Sequence, residues 1–128
     1  MKEKILQLQK EINSLLKEME SKFRETLKEY LKSNSIINSV RININNHEFN
    51  DGDATYFGLY YDDLVVEYGD EGEFSGYEKN VSKEIKEARE GLVKLFEDFD
   101  VLDFYENIFG GYSESIRIKI ENGKLEIE

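Results

Sequence analysis

The chain has 128 residues, no cysteine and a formal net charge of −11 at pH 7. This length fits one domain with its own core, and 39% hydrophobic residues with eight Phe and eight Tyr argue against whole-chain disorder. The lack of Cys excludes disulfides and thiol nucleophiles, and the negative charge argues against direct binding to nucleic acid or to an anionic membrane.

Residues 2–33 predict one long helix, because apolar residues recur at steps of three and four without a Gly or Pro. Such a helix is about 48 Å long, longer than a domain of this size is wide, so we expect one end to overhang. The spacing of Ile5, Leu8, Ile12, Leu15 and Met19 is two heptads of a/d type, which would allow a homodimer through this helix. The alternative is that the helix lies flat on its own sheet.

The next segments predict β-strands. Val40, Ile42 and Ile44 alternate with polar residues, as in a half-buried strand. After a loop over 46–53, residues 54–61 and 64–68 predict a hairpin around Asp62 and Asp63, followed by an acidic loop over 69–76. Alternation places Tyr56, Tyr60 and Glu67 on the outward face of this hairpin. The residues that it places toward the core are Phe57, Leu59, Tyr61, Leu64, Val66 and Tyr68.

The last third of the chain predicts two helical segments and a hairpin. Ser82 can cap a helix that runs to Phe99, and residues 101–109 predict a further helical turn or two, ended by Gly110 and Gly111. Asn122-Gly123 predicts a type I′ turn between two alternating strands. The order α-β-β-β-α-β-β indicates an α+β fold, with an antiparallel sheet of about five strands and the helices mainly on one face. We expect a single domain over 1–128, with a helix at 1–33 and an acidic body at 34–128.

No motif predicts an enzyme. His47 is the only His, no Cys is available to pair with it, and no glycine-rich phosphate-binding motif follows a strand. Asp51, Asp53, Thr55 and Asp62 stand at positions 1, 3, 5 and 12 of a calcium loop, but Tyr56 replaces the Gly and Asp62 the bidentate Glu that this template needs. We therefore predict no catalytic residue, no cofactor and no metal.

The negative charge is concentrated in the later part of the chain. Residues 1–32 carry a net +2, so the rest carries −13. Residues 42–78 contain ten acids and no Lys or Arg, and residues 95–116 contain six acids and no base. Five of the eight Tyr lie in the first of these base-free stretches. Tyrosine is enriched at interfaces and Lys depleted, while carboxylates steer a basic partner. The predicted partner-binding residues are Asp51, Asp53, Tyr56, Tyr60, Asp62, Asp63, Glu67, Asp70, Glu71, Glu73 and Glu78.

In size, charge and lack of catalytic parts the chain resembles acidic inhibitors of phage counter-defence, including nucleic-acid mimics that block CRISPR effectors and restriction enzymes. The predicted function is therefore an inhibitor of a basic nuclease or nucleic-acid-guided effector. The alternatives are an immunity protein that neutralises a cognate nuclease toxin and a non-catalytic dimerising adaptor. A further alternative is that the charge only keeps the protein soluble.

The sequence also bears on localisation. The N-terminal segment has no apolar run of the kind found in signal peptides, and no stretch approaches the roughly 20 apolar residues of a membrane span. We expect a cytoplasmic protein with no membrane partner.

Overall fold

The computed structural model describes residues 1–47 and 56–128. Within these residues three α-helices and six β-strands follow one another, and a 3-10 turn at Tyr61–Asp63, here called the 61–63 turn, lies between the second and third strands. The elements are α1 (Lys2–Ser33), β1 (Ile37–His47), β2 (Tyr56–Leu59), β3 (Val65–Tyr68), β4 (Gly72–Phe74), α2 (Lys83–Asp98), α3 (Phe104–Phe109), β5 (Ser115–Glu121) and β6 (Lys124–Ile127).

All strand pairs are antiparallel, in the order β4-β3-β1-β5-β6, with β2 also paired to β1. The predicted α+β class is therefore confirmed, with six strands in the described part of the chain where about five were expected. β1 is the central strand because its 11 residues pair with β5 on one side and with both β2 and β3 on the other.

The predicted hairpin between residues 54–61 and 64–68 is wrong. β2 and β3 do not pair with each other but lie in line along β1, with Leu59 opposite Ile44 and Val65 opposite Arg41. Between them the 61–63 turn leaves the sheet ladder, because the Leu64 N–H donates to the Tyr61 carbonyl at 3.2 Å. Residues 69–76 are not all loop either, since β4 pairs with β3 in this segment.

The helices cover one face of the sheet. Side chains of alternate strand residues, such as Val40, Ile42 and Ile118, are fully buried in one cluster with helical side chains, while Arg41 and Arg117 point to the other face. We call this second face the open face. Fully buried Phe23 of α1 lies at the centre of an aromatic cluster, its ring centroid 5.3–6.3 Å from five other rings that belong to Phe96, Phe99, Phe104, Tyr105 and Phe109.

Several local predictions are confirmed. The Ser82 hydroxyl accepts a hydrogen bond from the Ile85 N–H at 3.3 Å, which caps α2. Asn122 and Gly123 have φ of 53° and 76°, as a type I′ turn requires. The overhang of α1 lies at its N-terminal end, since every residue from Met1 to Leu15 is exposed. In the described part of the chain, none of the helices combines the length and the apolar character needed to cross a membrane.

Candidate functional site

An acidic, aromatic cleft lies where β2 and the 61–63 turn meet the segment that leads into α3. It encloses about 240 Å³. No Lys, Arg or His is among the described residues that line it, which are Phe57, Gly58, Leu59, Tyr60, Tyr61, Asp100, Asp103, Tyr105 and Glu106. The three carboxylates are exposed, and none forms an ion pair with another described residue. A cationic group is therefore the complementary ligand.

Two tyrosines form the wall of the cleft. The Tyr61 hydroxyl donates to Asp100 Oδ2 at 2.7 Å, and the Tyr105 hydroxyl donates to the Phe96 carbonyl at 2.6 Å. Burial raises the pKa of the Tyr61 phenol, and the Asp100 carboxylate, through its hydrogen bond and its charge, raises it further. The pKa of Tyr105 is also raised, mainly by burial. Both phenols therefore stay neutral at physiological pH and act as hydrogen-bond donors.

Tyr60 differs from these two because 41% of its surface is exposed. Its hydroxyl accepts a hydrogen bond from Asn45 Nδ2 at 3.0 Å, which holds the ring at the rim of the cleft. The predicted role of Tyr60 as an interface anchor is compatible with this position, since an anchor needs an exposed ring with a fixed orientation.

Arg89 of α2 holds the 61–63 turn in place through backbone atoms. Its Nη2 donates to the Asp62 carbonyl at 2.8 Å and its Nε to the Leu64 carbonyl at 3.0 Å. The guanidinium also lies over the Phe74 ring, 5.9 Å from its centroid. Arg89 binds carbonyl oxygens and not carboxylates, and the exposed carboxylates of Asp62 and Asp63 form no ion pair with another described residue.

The loop before α3 combines strain with apolar exposure. Leu102 and Asp103 have φ of 53° and 55°, in the left-handed region that non-glycine residues rarely adopt. Leu102 is 71% exposed and Val101 is 48% exposed, directly between Asp100 and Asp103 of the cleft. Such conformations cost about 1–3 kcal/mol each and occur most often at functional sites. The rim of the cleft therefore offers apolar as well as acidic contacts.

Four other predicted residues line a second depression, at the β3–β4 hairpin. These are Glu67, Asp70, Glu71 and Glu73, around a cavity of about 370 Å³. Glu67 accepts from Arg117 Nε at 3.0 Å and from the Ser39 hydroxyl at 2.8 Å, and Glu73 lies 3.5 Å from Arg41. Two of the four charges are therefore balanced by bases of the open face, which makes this depression less acidic than the cleft.

Glu78 lies apart from both depressions. Its carboxylate accepts from the Ser75 hydroxyl at 2.7 Å and from the Ser75 N–H at 2.8 Å. These two hydrogen bonds lower the pKa of Glu78 to about 2. Beside it, Lys86 and Arg89 line the same shallow groove. The position of Glu78 indicates a turn-stabilising role, and the neighbouring Tyr77, 81% exposed, is the more accessible contact.

Three predicted residues cannot be placed in the site. Asp51 and Asp53 lie outside the described residues, together with Thr55 of the calcium-loop pattern. Tyr56 begins β2, and only its backbone is described. Within residues 1–47 and 56–128, no group of three or more His, Cys, Asp or Glu side chains is arranged to hold a metal ion.

The cleft includes residues that sequence reasoning did not select. Asp100, Asp103 and Glu106 come from the second base-free stretch, about 40 residues after Tyr61. The absence of Lys and Arg from residues 95–116 could have indicated that this stretch belongs to the acidic site. The sequence did not indicate which residues of the first base-free stretch, 42–78, these residues contact. No protein-family model, no curated protein and no solved structure matches this chain.

Proposed function

We propose that this chain is an acidic inhibitor, acting in the cytoplasm as one domain, that binds a basic nucleic-acid-binding protein at the site where that protein holds its nucleic acid. The observation that carries the proposal is the cleft with its rim. Asp100, Asp103 and Glu106 lie beside two tyrosines, with no base among the lining residues that the structure describes. A Lys- or Arg-rich phosphate site on a nuclease or nucleic-acid-guided effector is complementary to such a surface.

The position of the contacts further supports a protein partner. Val101, Leu102 and Tyr60 offer exposed apolar or aromatic area beside the acids, and protein interfaces combine apolar and aromatic contacts with charged groups. Asp62 and Asp63 extend the negative surface from the adjacent turn. A small metabolite would instead need a more enclosed pocket with few, well-placed polar groups.

The experiment is an affinity capture from host lysate at low salt and at roughly 0.5 M salt, followed by competition with added DNA or RNA. We expect a basic nuclease or effector that high salt weakens and nucleic acid displaces. Capture of a partner that neither salt nor nucleic acid displaces would contradict the proposal.

A charge-matched pair of triple variants tests the site with that partner. The cleft variant neutralises Asp100, Asp103 and Glu106 as Asn, Asn and Gln, which keeps side-chain shape and the acceptor for Tyr61. We expect at least about 100-fold weaker binding, since close charge pairs at interfaces contribute about 1.5 kcal/mol or more each. The control makes the same charge change at three exposed acids on α1 and α2, as Glu25→Gln, Glu29→Gln and Glu87→Gln. Equal affinities of the two variants for the partner would show that the cleft is not part of the interface.

An immunity protein that neutralises a cognate nuclease toxin uses the same chemistry, because the toxin also presents a basic nucleic-acid site. The two functions predict different neighbouring genes and different captured partners. A toxin gene immediately upstream and capture of its product would favour immunity, whereas a phage or prophage setting would favour counter-defence. The adaptor alternative depends on the exposed part of α1, whose surface is independent of the cleft.

A further inference from the structure

The first half of α1 presents an apolar stripe to solvent. Residues 1–15 are all exposed, and Leu16 is the first residue of the helix to be half-buried. The 14 helical residues before Leu16 extend about 21 Å past the body. We call residues 1–15 the overhang. Besides Met1, which is 98% exposed, its large apolar side chains are 50–60% exposed, namely Ile5, Leu6, Leu8, Ile12 and Leu15.

The apolar stripe lies on one side of α1. Ile5, Leu8, Ile12 and Leu15 repeat at steps of three and four, and the same series continues through Met19 to Phe23, which pack on the core. Since a 3.5-residue repeat drifts only about 20° per heptad on a straight helix, the stripe keeps to the side of α1 that faces the body. The apolar side of the overhang therefore borders unoccupied space next to the body, and this space is long enough for a second helix.

The charges of α1 indicate which helix packs against the apolar side of the overhang. Residues 1–10 contain three Lys and one Glu, a net +2, whereas residues 11–20 contain three Glu and one Lys, a net −2. A second copy of this helix placed parallel would set like charges beside each other. Placed antiparallel, each positive half meets a negative half, and the two bodies, at −13 each, lie at opposite ends.

We infer that the overhang pairs antiparallel with the overhang of a second copy of this chain. The register that covers the whole stripe sets Ile5 against Leu15 of the partner subunit and Leu8 against Ile12 of the partner subunit. In this register Lys4 faces Glu18 of the partner subunit at both ends of the contact, and these two opposite-charge pairs outnumber the single like-charge contact of Glu11 with Glu11 of the partner subunit at its centre. The contact between the two helices is only two heptads long. We therefore expect a weak dimer whose population depends on protein concentration.

The first test is sedimentation equilibrium of the full chain over a wide concentration range. The wild type shows a monomer–dimer equilibrium, and Ile12→Asp is monomeric throughout. The matched control is Ser14→Asp, which adds the same charge about 200° away around the helix and dimerises as the wild type does. Ile12 is 50% exposed, so the substitution leaves the body folded, which thermal unfolding verifies. A wild type that stays monomeric, or an Ile12→Asp variant that dimerises equally, overturns the inference.

The second test measures orientation. Because the chain has no cysteine, Ser21→Cys provides one unique site for a spin label on exposed surface. The antiparallel register separates the two labels by 22 residues along the helix axis, about 33 Å, whereas a parallel pair sets them side by side. A pulsed-EPR distance below about 20 Å overturns the antiparallel arrangement. Binding to a basic partner is measured separately, so failure of either proposal leaves the other intact.

Discussion

Replacing Arg89 with Ala should destabilise the protein and release the 61–63 turn from α2. The substitution removes two hydrogen bonds, to the carbonyls of Asp62 at 2.8 Å and Leu64 at 3.0 Å, and the contact with the Phe74 ring. Hydrogen bonds from charged groups contribute about 1.5–3 kcal/mol each, and Arg89 is half-buried, so we take the lower figure for both bonds. An exposed cation–π contact adds about 0.5–1 kcal/mol.

The expected loss is therefore about 3–4 kcal/mol, a large share of the 5–15 kcal/mol by which proteins of this kind are stable. Arg89→Lys keeps the charge but cannot donate to both carbonyls with a fixed fork, so we expect an intermediate loss of about 2 kcal/mol. Urea unfolding followed by far-UV circular dichroism measures both values, and hydrogen exchange at the Leu64 amide reports the local opening of the turn.

Lys86→Ala is the matched control. Lys86 lies one turn earlier on the same helix and is exposed, so this change removes the same charge without the two carbonyl contacts. We expect it to alter stability by less than about 0.5 kcal/mol. If Arg89→Ala and Lys86→Ala were equally stable, Arg89 would not hold the turn, and the argument that it positions this wall of the cleft would fail.

Two further predictions concern the packing of α2 and the phenols of the cleft. Gly91→Ala, which usually stabilises a helix by about 1 kcal/mol, should here lower the free energy of unfolding in urea, because the new Cβ would overlap the Tyr30 hydroxyl and lie 2.9 Å from its Cζ; a gain in stability would contradict this packing. Because the pKa of Tyr61 is raised above its ordinary value of 10.0 in the folded state, its contribution to stability is complete below pH 10 and is lost as the pH rises above it. Tyr61→Phe should therefore reduce the alkaline loss of stability, measured as the melting temperature between pH 9 and pH 11, whereas an unchanged pH profile would contradict the raised pKa.

The sequence predicted those parts of the fold that depend on neighbouring residues. The helix at 2–33, the Ser82 cap and the Asn122-Gly123 turn each have a local cause, namely periodicity, a hydroxyl acceptor and positive φ. The pairing of β2 and β3 with β1 was missed because it depends on the length of β1 and on the break made by the 61–63 turn. Both are non-local, and two short apolar runs separated by two acids resemble a hairpin.

The candidate site was predicted less completely, for the same reason. Tyr60, Asp62 and Asp63 were correctly expected at an exposed position, since charged and alternate residues of a surface segment remain in solvent. The partners that complete the cleft come from the other base-free stretch, joined by the Tyr61–Asp100 hydrogen bond. Glu67 and Glu73 were expected to be available to a partner, but the register of β1 with β3 and β5 sets them near Arg41 and Arg117.

The distribution of charge bears on the view that acidity serves only solubility. Solubility requires a net charge, but it is served best when both signs are interspersed over the surface. On the open face the signs are interspersed in this way, because Arg41, Arg117 and Lys119 each lie within 4.0 Å of a carboxylate. At the cleft, where the loop is strained and Tyr60 is exposed, no base is among the described residues that line the cavity. One chain thus balances its acids on one surface and leaves them unbalanced on another, a segregation that solubility does not require and that a basic partner would exploit.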